Sequence, residues 1–410
     1  MACSHRTIPR GLVESGTEMN PFTAALGDLR QRDQLRTLSA LDGLPEKFLV
    51  RNGKPCLNLS SNNYLGLTGH AEVRRAAAEA ALSLGTGSGG SRLLGGGLPL
   101  HRKLEESVVA FRPLGNALLF NTGFMANLGV IQALAPVLGT IYSDKFNHAS
   151  IAEGLRKSSE TFHRYRHRDM NHLESLLVQH QGKGESGDKP GLVCSETLFS
   201  MDGDFAPLSD LLALQARFGF YLYLDEAHST GCYPGLMNDV VRAGVTSQRI
   251  LIMGTFGKAF GGFGAYVAGP DEAIEYMLNT ARTFIFSTAL PPAPVAAALA
   301  ALKVAQAEPW RAEKLAVLST ATREMFHARK LNTGTSESHI VPVLTGSNAA
   351  ALRLSEYMLQ AGYHAPAVRP PTVPAGTARL RINLTCEMEL SEMEALSDVL
   401  AQGMLEVGNA

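Results

Sequence analysis

Apolar and polar positions along this chain follow two periods. From Phe22 the run FTAALGDLRQRDQLRTL has helical spacing, with Leu26, Leu29 and Leu35 roughly along one side. Farther on, short apolar runs alternate with helical patterns of about ten residues. ALLF (117–120) precedes the helical MANLGVIQALA, TIYS (140–143) precedes SIAEGLRKS, and PGLVCS (190–195) leads through a turn into PLSDLLALQARFG. Three β-prone runs follow: FYLYLDEAH, RILIMGTF and GAYVAG. Strands interleaved with helices predict an α/β fold, a large domain with a mostly parallel sheet flanked by helices. Beyond a helical stretch near residues 291–328 the pattern changes. HIVPVLTG, NAAALRLSEYMLQAGY, TARLRINLT and MELSEMEALSDVLAQGM read as strand, helix, strand and helix of a smaller α+β C-terminal domain. The expected division is a loose tail at 1–20, an N-terminal helical segment at 21–60, the large domain at 61–295 and the small one at 296–410.

Composition narrows the class of protein. The chain has 410 residues, enough for two or three domains, and a formal net charge of −1. That balance gives no reason to expect a nucleic-acid partner. Five cysteines, an odd count without a C-x-x-C pair, fit free thiols in a reducing compartment. The longest apolar candidate, PPAPVAAALAALKVA, opens with prolines and contains Lys303, so it reads as a buried or interfacial helix rather than a membrane span. The N-terminus lacks a signal-peptide pattern, and the expected setting is cytoplasmic.

Candidate chemistry gathers at the ends of the predicted strands. In GTFGKAFGGFG (254–264) Lys258 is ringed by glycines, yet the run is not a phosphate loop: Ile252 stands where the leading glycine belongs and Ala259 follows the lysine. A lysine just past an apolar strand becomes a nucleophile when burial lowers its pKa, for instance toward an aldehyde cofactor. A surface turn lysine is the alternative. The preceding strand delivers Asp225 at its carboxyl end, the usual ligand side of open α/β sheets, with His228 three residues on. Such an aspartate can hold a protonated pyridine nitrogen; a strand-end turn cap is the other reading. DEAH also matches a helicase motif, and a nucleotide-binding ATPase would need the missing phosphate loop. In NTGFMANLGV (121–130) a strand, Thr122-Gly123 and a helix start present free N–H groups to an anion, a candidate phosphate seat; a plain strand–turn–helix junction is the other reading. His148, between a strand and a helix, can stack on a flat ring or stand as a solvated loop histidine. HRYRHRDMNH (163–172) reads as a solvated strand-to-helix junction, without metal or kinase spacing. In TARLRINLT, period two sets Arg379, Arg381 and Asn383 on one face, where a guanidinium can grip a carboxylate or serve in a surface salt bridge.

Together these residues resemble the α-oxoamine synthases, pyridoxal-phosphate enzymes of the aspartate-aminotransferase-like fold type I that join an amino acid to an acyl thioester. LNLSSNNYLGL, GTGSGGSRLLGG, FNTGFMAN, FNHASI, FSMDGD, DEAHSTG and TFGKAFGG carry the resemblance from about residue 24 to the C-terminus. The triple glycine Gly95–Gly97 before Leu98-Pro99 departs from the family pattern. The resemblance implies that pyridoxal 5'-phosphate is bound by Gly123, Phe124, His148, Ser200, Asp225, His228, Thr255 and Lys258, with Ser287 and Thr288 reaching from a second subunit of a homodimer. Lys258 would be the Schiff-base lysine, Asp225 the partner of the pyridine nitrogen, and His148 and His228 the catalytic imidazoles. Arg381 and Asn62 would hold the amino-acid carboxylate, with His148 beside the substrate and Arg36 and Thr372 at the acyl end. GSGGSR and RPPTVPAGTARLR resemble the member of the biotin pathway that joins L-alanine to a pimeloyl thioester, on coenzyme A or on a carrier protein. A member that takes glycine and a short acyl-CoA is the alternative.

Overall fold

The computed structural model describes residues 20–38, 40–42, 46–51, 53–158, 161–181, 189–235, 240 and 248–408. Most of the expected tail, Cys3 included, lies outside the described residues. Two compact units divide the chain, residues 1–39 and 40–410. In the first, a helix runs from Pro21 to Gln31, and the Asn20 side chain accepts the Phe22 N–H at 2.9 Å. It is shorter than the apolar spacing predicts. Asp33 takes a left-handed φ of 53°, which ends the helix before Leu35 can join its face.

The second unit opens with an antiparallel hairpin, β1 (Phe48–Arg51) and β2 (Lys54–Asn58), so the helical expectation for residues 21–60 holds only at its start. The central sheet follows: β3 (Asn116–Phe120), β4 (Ile141–Asp144), β5 (Phe162–Tyr165), β6 (Leu192–Glu196), β7 (Tyr221–Asp225), β8 (Ile250–Thr255) and β9 (Ala265–Gly269). Its order is β3-β9-β8-β7-β6-β4-β5, and only the two pairings of β9 are antiparallel. All six residues of β8 and all five of β6 are buried, as a sheet covered on both faces requires. Each fully buried Leu, Ile or Val adds about 1.5–3 kcal/mol over its exposed state. On one face the helix Gly123–Leu138 packs against Ala149–Lys157, and on the other Pro292–Ala307 packs against Ala71–Leu84. The C-terminal part adds β10 (Ile340–Gly346), β11 (Tyr363–His364), β12 (Ala367–Val368) and β13 (Ala378–Asn383). β10, β13 and β12 form one small sheet, while β11 joins β1 and β2. Among the described residues no helix is long and apolar enough to cross a membrane.

Two buried ionic arrangements secure the carboxyl ends of the parallel strands. Glu226 turns away from its neighbour Asp225 and accepts a hydrogen bond from Arg112 Nη2 at 3.0 Å, both side chains being almost fully buried. Removing either partner would strand a buried charge, at a cost of roughly 3–5 kcal/mol. The second arrangement corrects the solvated reading of HRYRHRDMNH. Tyr165 is buried, and His167 lies between Asp144 Oδ1 (2.9 Å from Nδ1) and Asp204 Oδ2 (3.0 Å from Nε2), stacked on Phe146. Thr335 and Arg168 also bond Asp204, which ties the C-terminal part to the sheet. Local charge spacing could not reveal this, because both aspartates come from other elements.

Burial opposes a charge on His167, but its hydrogen bonds to Asp144 and Asp204 prevail and raise its pKa to about 9. The folded pKa lies above the unfolded value of about 6.5, so the stabilisation is complete below that pH and is lost as pH rises through about 9. The denaturant midpoint should therefore fall across this window by an amount on the order of 2–3 kcal/mol in unfolding free energy. In His167→Gln that fall should flatten. An unchanged slope in the variant would remove His167 as its source.

Candidate active site

A cavity of about 200 Å³ opens where β6, β7 and β8 end and the helix Gly123–Leu138 begins. It is lined by seven of the expected residues, Gly123, Phe124, His148, Asp225, His228, Thr255 and Lys258, and also by Asn127, Ser150 and Glu196. Adjacent strands place Glu196 and Asp225 side by side in register.

Asp225 is buried and tightly held. Its Oδ1 accepts the Ala227 N–H at 2.9 Å and its Oδ2 accepts from Asn127 Nδ2 at 2.7 Å. The Tyr223 hydroxyl donates to Asn127 Oδ1, which fixes the amide so that its NH₂ faces Asp225 and Ser150. Ser150 in turn donates both its N–H and its hydroxyl to His148 Nδ1, at 3.2 and 2.7 Å. Nδ1 therefore carries no proton, and the neutral His148 ring is protonated on Nε2.

Helix geometry supplies the anion end. Thr122 caps Gly123–Leu138 by accepting the Met125 N–H at 3.1 Å, and its carbonyl takes the Ala126 N–H. Gly123 and Phe124 remain as the open donors of the first turn, at the positive end of the helix dipole.

Lys258 sits in a turn anchored by the buried rings of Phe256 and Phe260. Gly261 N–H bonds the Lys258 carbonyl at 2.8 Å, and Thr255 Oγ accepts the Gly257 N–H at 3.1 Å. Gly261 has a φ of 63°, and a Cβ there would stand 2.6 Å from the Leu67 carbonyl carbon, so only glycine permits the turn to touch that segment. The amine lies 2.7 Å from His228 Nε2. Burial lowers the Lys258 pKa to about 8; Asp225 and Glu196 oppose that effect and Arg381 reinforces it. His228 is kept well below the usual imidazole range by burial and by the nearby charges of Lys258 and Arg381.

Arg381, on β13, donates to the Ser200 carbonyl at 2.5 Å and to Asn62 Oδ1 at 3.2 Å. Among the described residues it has no carboxylate partner. Its neighbour on the same face, Arg379, is bound to Asp202 at 2.6 Å, so the salt-bridge reading of this strand holds for Arg379. Ser200 is tied to the site through its N–H, 3.2 Å from Glu196 Oε2. Ser287 and Thr288 lie in a separate cleft with Arg92, His101 and Asn121. Thr372 is exposed on the turn before β13, its N–H bonded to the Arg369 carbonyl at 3.1 Å, and it is not among the cavity residues. Arg36 belongs to the N-terminal unit.

Three residues went unnoticed in the motifs. Asn127 had a signal, an amide near the start of the largely apolar stretch MANLGVIQALA. Glu196 had one too, a carboxylate ending a buried strand as Asp225 does. Tyr64, whose hydroxyl lies 2.7 Å from His228 Nδ1, had none, since the contact spans 164 residues.

The sequence matches the family described as aminotransferase class I and II across residues 54–400. It is 42% identical over 386 residues to the 8-amino-7-oxononanoate synthase of Geobacter sulfurreducens, covering 93% of this chain and 97% of that one. The chain belongs to the aminotransferase class I and II family and, within it, to the 8-amino-7-oxononanoate synthases. Solved members of the wider group share the fold. A serine palmitoyltransferase from S. paucimobilis, determined with bound PLP, superposes with a TM-score of 0.86 at 28% identity, over 95% of this chain and all of that one. The 8-amino-7-oxononanoate synthase of Francisella tularensis gives a TM-score of 0.70 at 25% identity, over 86% of this chain and 98% of that one. The α-oxoamine synthase resemblance and the type I fold expected from the motifs agree with these matches.

The electrostatics of this synthase site predict that Lys258 in cofactor-free protein titrates near pH 8. Amine-reactive labelling followed across pH by mass spectrometry reads that midpoint. Arg381→Met should raise it, because a like charge is removed. A wild-type midpoint at the ordinary lysine value of about 10.4 would contradict the account.

Proposed function

We propose that this synthase joins L-alanine to a pimeloyl thioester with loss of carbon dioxide, using pyridoxal 5'-phosphate in a homodimer with shared active sites. The product is 8-amino-7-oxononanoate, a precursor in biotin biosynthesis. The observation that carries the reading is one cavity holding a desolvated lysine, a buried aspartate and an open helix N-terminus. Buried Glu196 Oε1 has no partner among the described residues, as expected where a polar ligand belongs. The donor set fits the cofactor: an amine for its aldehyde, a carboxylate for its ring nitrogen and N–H groups for its phosphate.

When bound, pyridoxal phosphate supplies an aldehyde carbon for amines and a protonated ring that accepts an electron pair. Asp225, fixed by Asn127 and Ala227, would accept the hydrogen bond of the protonated ring nitrogen. Gly123 and Phe124 would receive the phosphate, with Ser287 and Thr288 of a second copy of the chain. His148 would stand beside the ring, and Ser200, His228 and Thr255 would serve the cofactor's other polar atoms. Arg381, with Asn62, holds the alanine carboxylate, which suits a guanidinium with no carboxylate partner among the described residues. Lys258 removes the proton from alanine Cα. A bond then forms from that carbon to the thioester carbonyl and the thiolate leaves. After carbon dioxide departs, Lys258 returns a proton to the same carbon. Arg36 and Thr372 are assigned to the acyl end, whether the donor rides on coenzyme A or a carrier protein. The division into a tail at 1–20, a segment at 21–60 and domains at 61–295 and 296–410 is part of the same proposal.

The fold similarity to a serine palmitoyltransferase favours testing a second reading, a synthase of the glycine C-acetyltransferase kind. Alanine and glycine crossed with pimeloyl and acetyl thioesters separate the two. Alanine with pimeloyl thioester should give the highest kcat/KM; a preference for glycine with acetyl-CoA would reject the proposal. Lys258→Ala should lower kcat by a factor on the order of 10³ or more.

A further inference from the structure

Tyr64 is fully buried, and its hydroxyl stands at a junction. His228 Nδ1 lies 2.7 Å from it, Asn62 Oδ1 2.9 Å and Arg381 Nη2 3.4 Å. The other nitrogen of His228, Nε2, is the one that meets Lys258 at 2.7 Å. The Tyr64 ring packs edge-on against His339 at 4.0 Å between centroids, and His339 Nδ1 in turn lies 2.9 Å from the Tyr233 hydroxyl. The phenol is thus fixed in place, and its O–H remains free to rotate.

Proton counting gives the hydroxyl two roles. A neutral imidazole carries one N–H. With Lys258 protonated, the ammonium donates to Nε2, so the imidazole proton sits on Nδ1 and is donated to the Tyr64 oxygen. Tyr64 then donates to Asn62 Oδ1. With Lys258 neutral, Nε2–H donates to the amine and Nδ1 accepts from the Tyr64 hydroxyl. Asn62 Oδ1 still keeps Arg381 Nη1 at 3.2 Å and Asn383 Nδ2 at 3.3 Å. The two arrangements differ by one proton, that of the lysine.

We propose that Tyr64 is a positioning residue for the reaction, its hydroxyl switching between acceptor and donor toward His228 and so coupling the imidazole tautomer to the charge on Lys258. The surrounding titratable and charged groups are Asp225, Glu196, Arg381, His148, His339 and the Cys232 thiol. None of them donates to and accepts from Nδ1 in turn; Arg381, 3.4 Å away, can only donate. Burial raises the Tyr64 pKa to about 12, so it acts as a hydroxyl throughout the working range.

The proposal rests on reading Lys258 as the base, but its test needs no substrate. In Tyr64→Phe the Nδ1–H arrangement loses its acceptor, while Arg381 still serves the unprotonated Nδ1. The Nε2–H form is then favoured, and the ammonium loses its acceptor. The labelling midpoint of Lys258 in cofactor-free protein should fall by about one pH unit. Incorporating 3-fluorotyrosine at Tyr64 keeps the shape while making a better donor and poorer acceptor, and should lower the midpoint by a smaller step. If Tyr64→Phe fails to fold, the fluorinated protein alone decides. A midpoint that is unchanged or raised overturns the proposal. Absence of product in the wild type would count against the reaction instead and would leave this comparison intact.

Discussion

The amine of Lys258 is held in a desolvated pocket between a carboxylate that favours its proton and a guanidinium that does not. Water would weaken both influences, so the site depends on keeping it out. Most of the structure can be understood as serving that exclusion. Strands β6 and β8 are buried along their length, as is β7 after Tyr221, and the three end together, so their last residues reach one cavity with apolar packing behind them. Asp225 would be costly there without its hydrogen bonds from Asn127 and Ala227. Neighbouring Glu226, facing the other way, needs Arg112 for the same reason.

Much of the fold could be read from hydrophobic periodicity. The apolar runs ending in Asp225 and Thr255 are strands because nothing polar interrupts them, and the helices Gly123–Leu138 and Ala149–Lys157 follow β3 and β4 as the spacing predicts. Interactions between distant residues were less legible. The edge strand Phe162–Tyr165 carries His163 and Arg164 side by side, and its place is secured by pairing with β4. His167 looked solvated because its two aspartates lie 23 and 37 residues away. The two-residue strands β11 and β12 are too short to leave a pattern and exist only through their partners.

The site divides in the same way. Lys258, Asp225, His148 and the Gly123 turn lie at strand ends or helix starts, positions that local sequence identifies. Tyr64, Asn127 and Glu196 do their work through side-chain contacts across the fold. Arg379 and Arg381 show the limit of a periodic argument. Period two sets both on one face of β13, but only the tertiary partners separate the arginine committed to Asp202 from the one left available.

That Lys258 is the residue joined to the cofactor is the central claim, and it can be mapped directly. The loaded protein is reduced with borohydride, digested and searched by mass spectrometry for the pyridoxyl group. The account predicts the added mass on the peptide carrying Lys258 and its absence from the other lysines. A pyridoxyl group on a different lysine, or none at all, would contradict it.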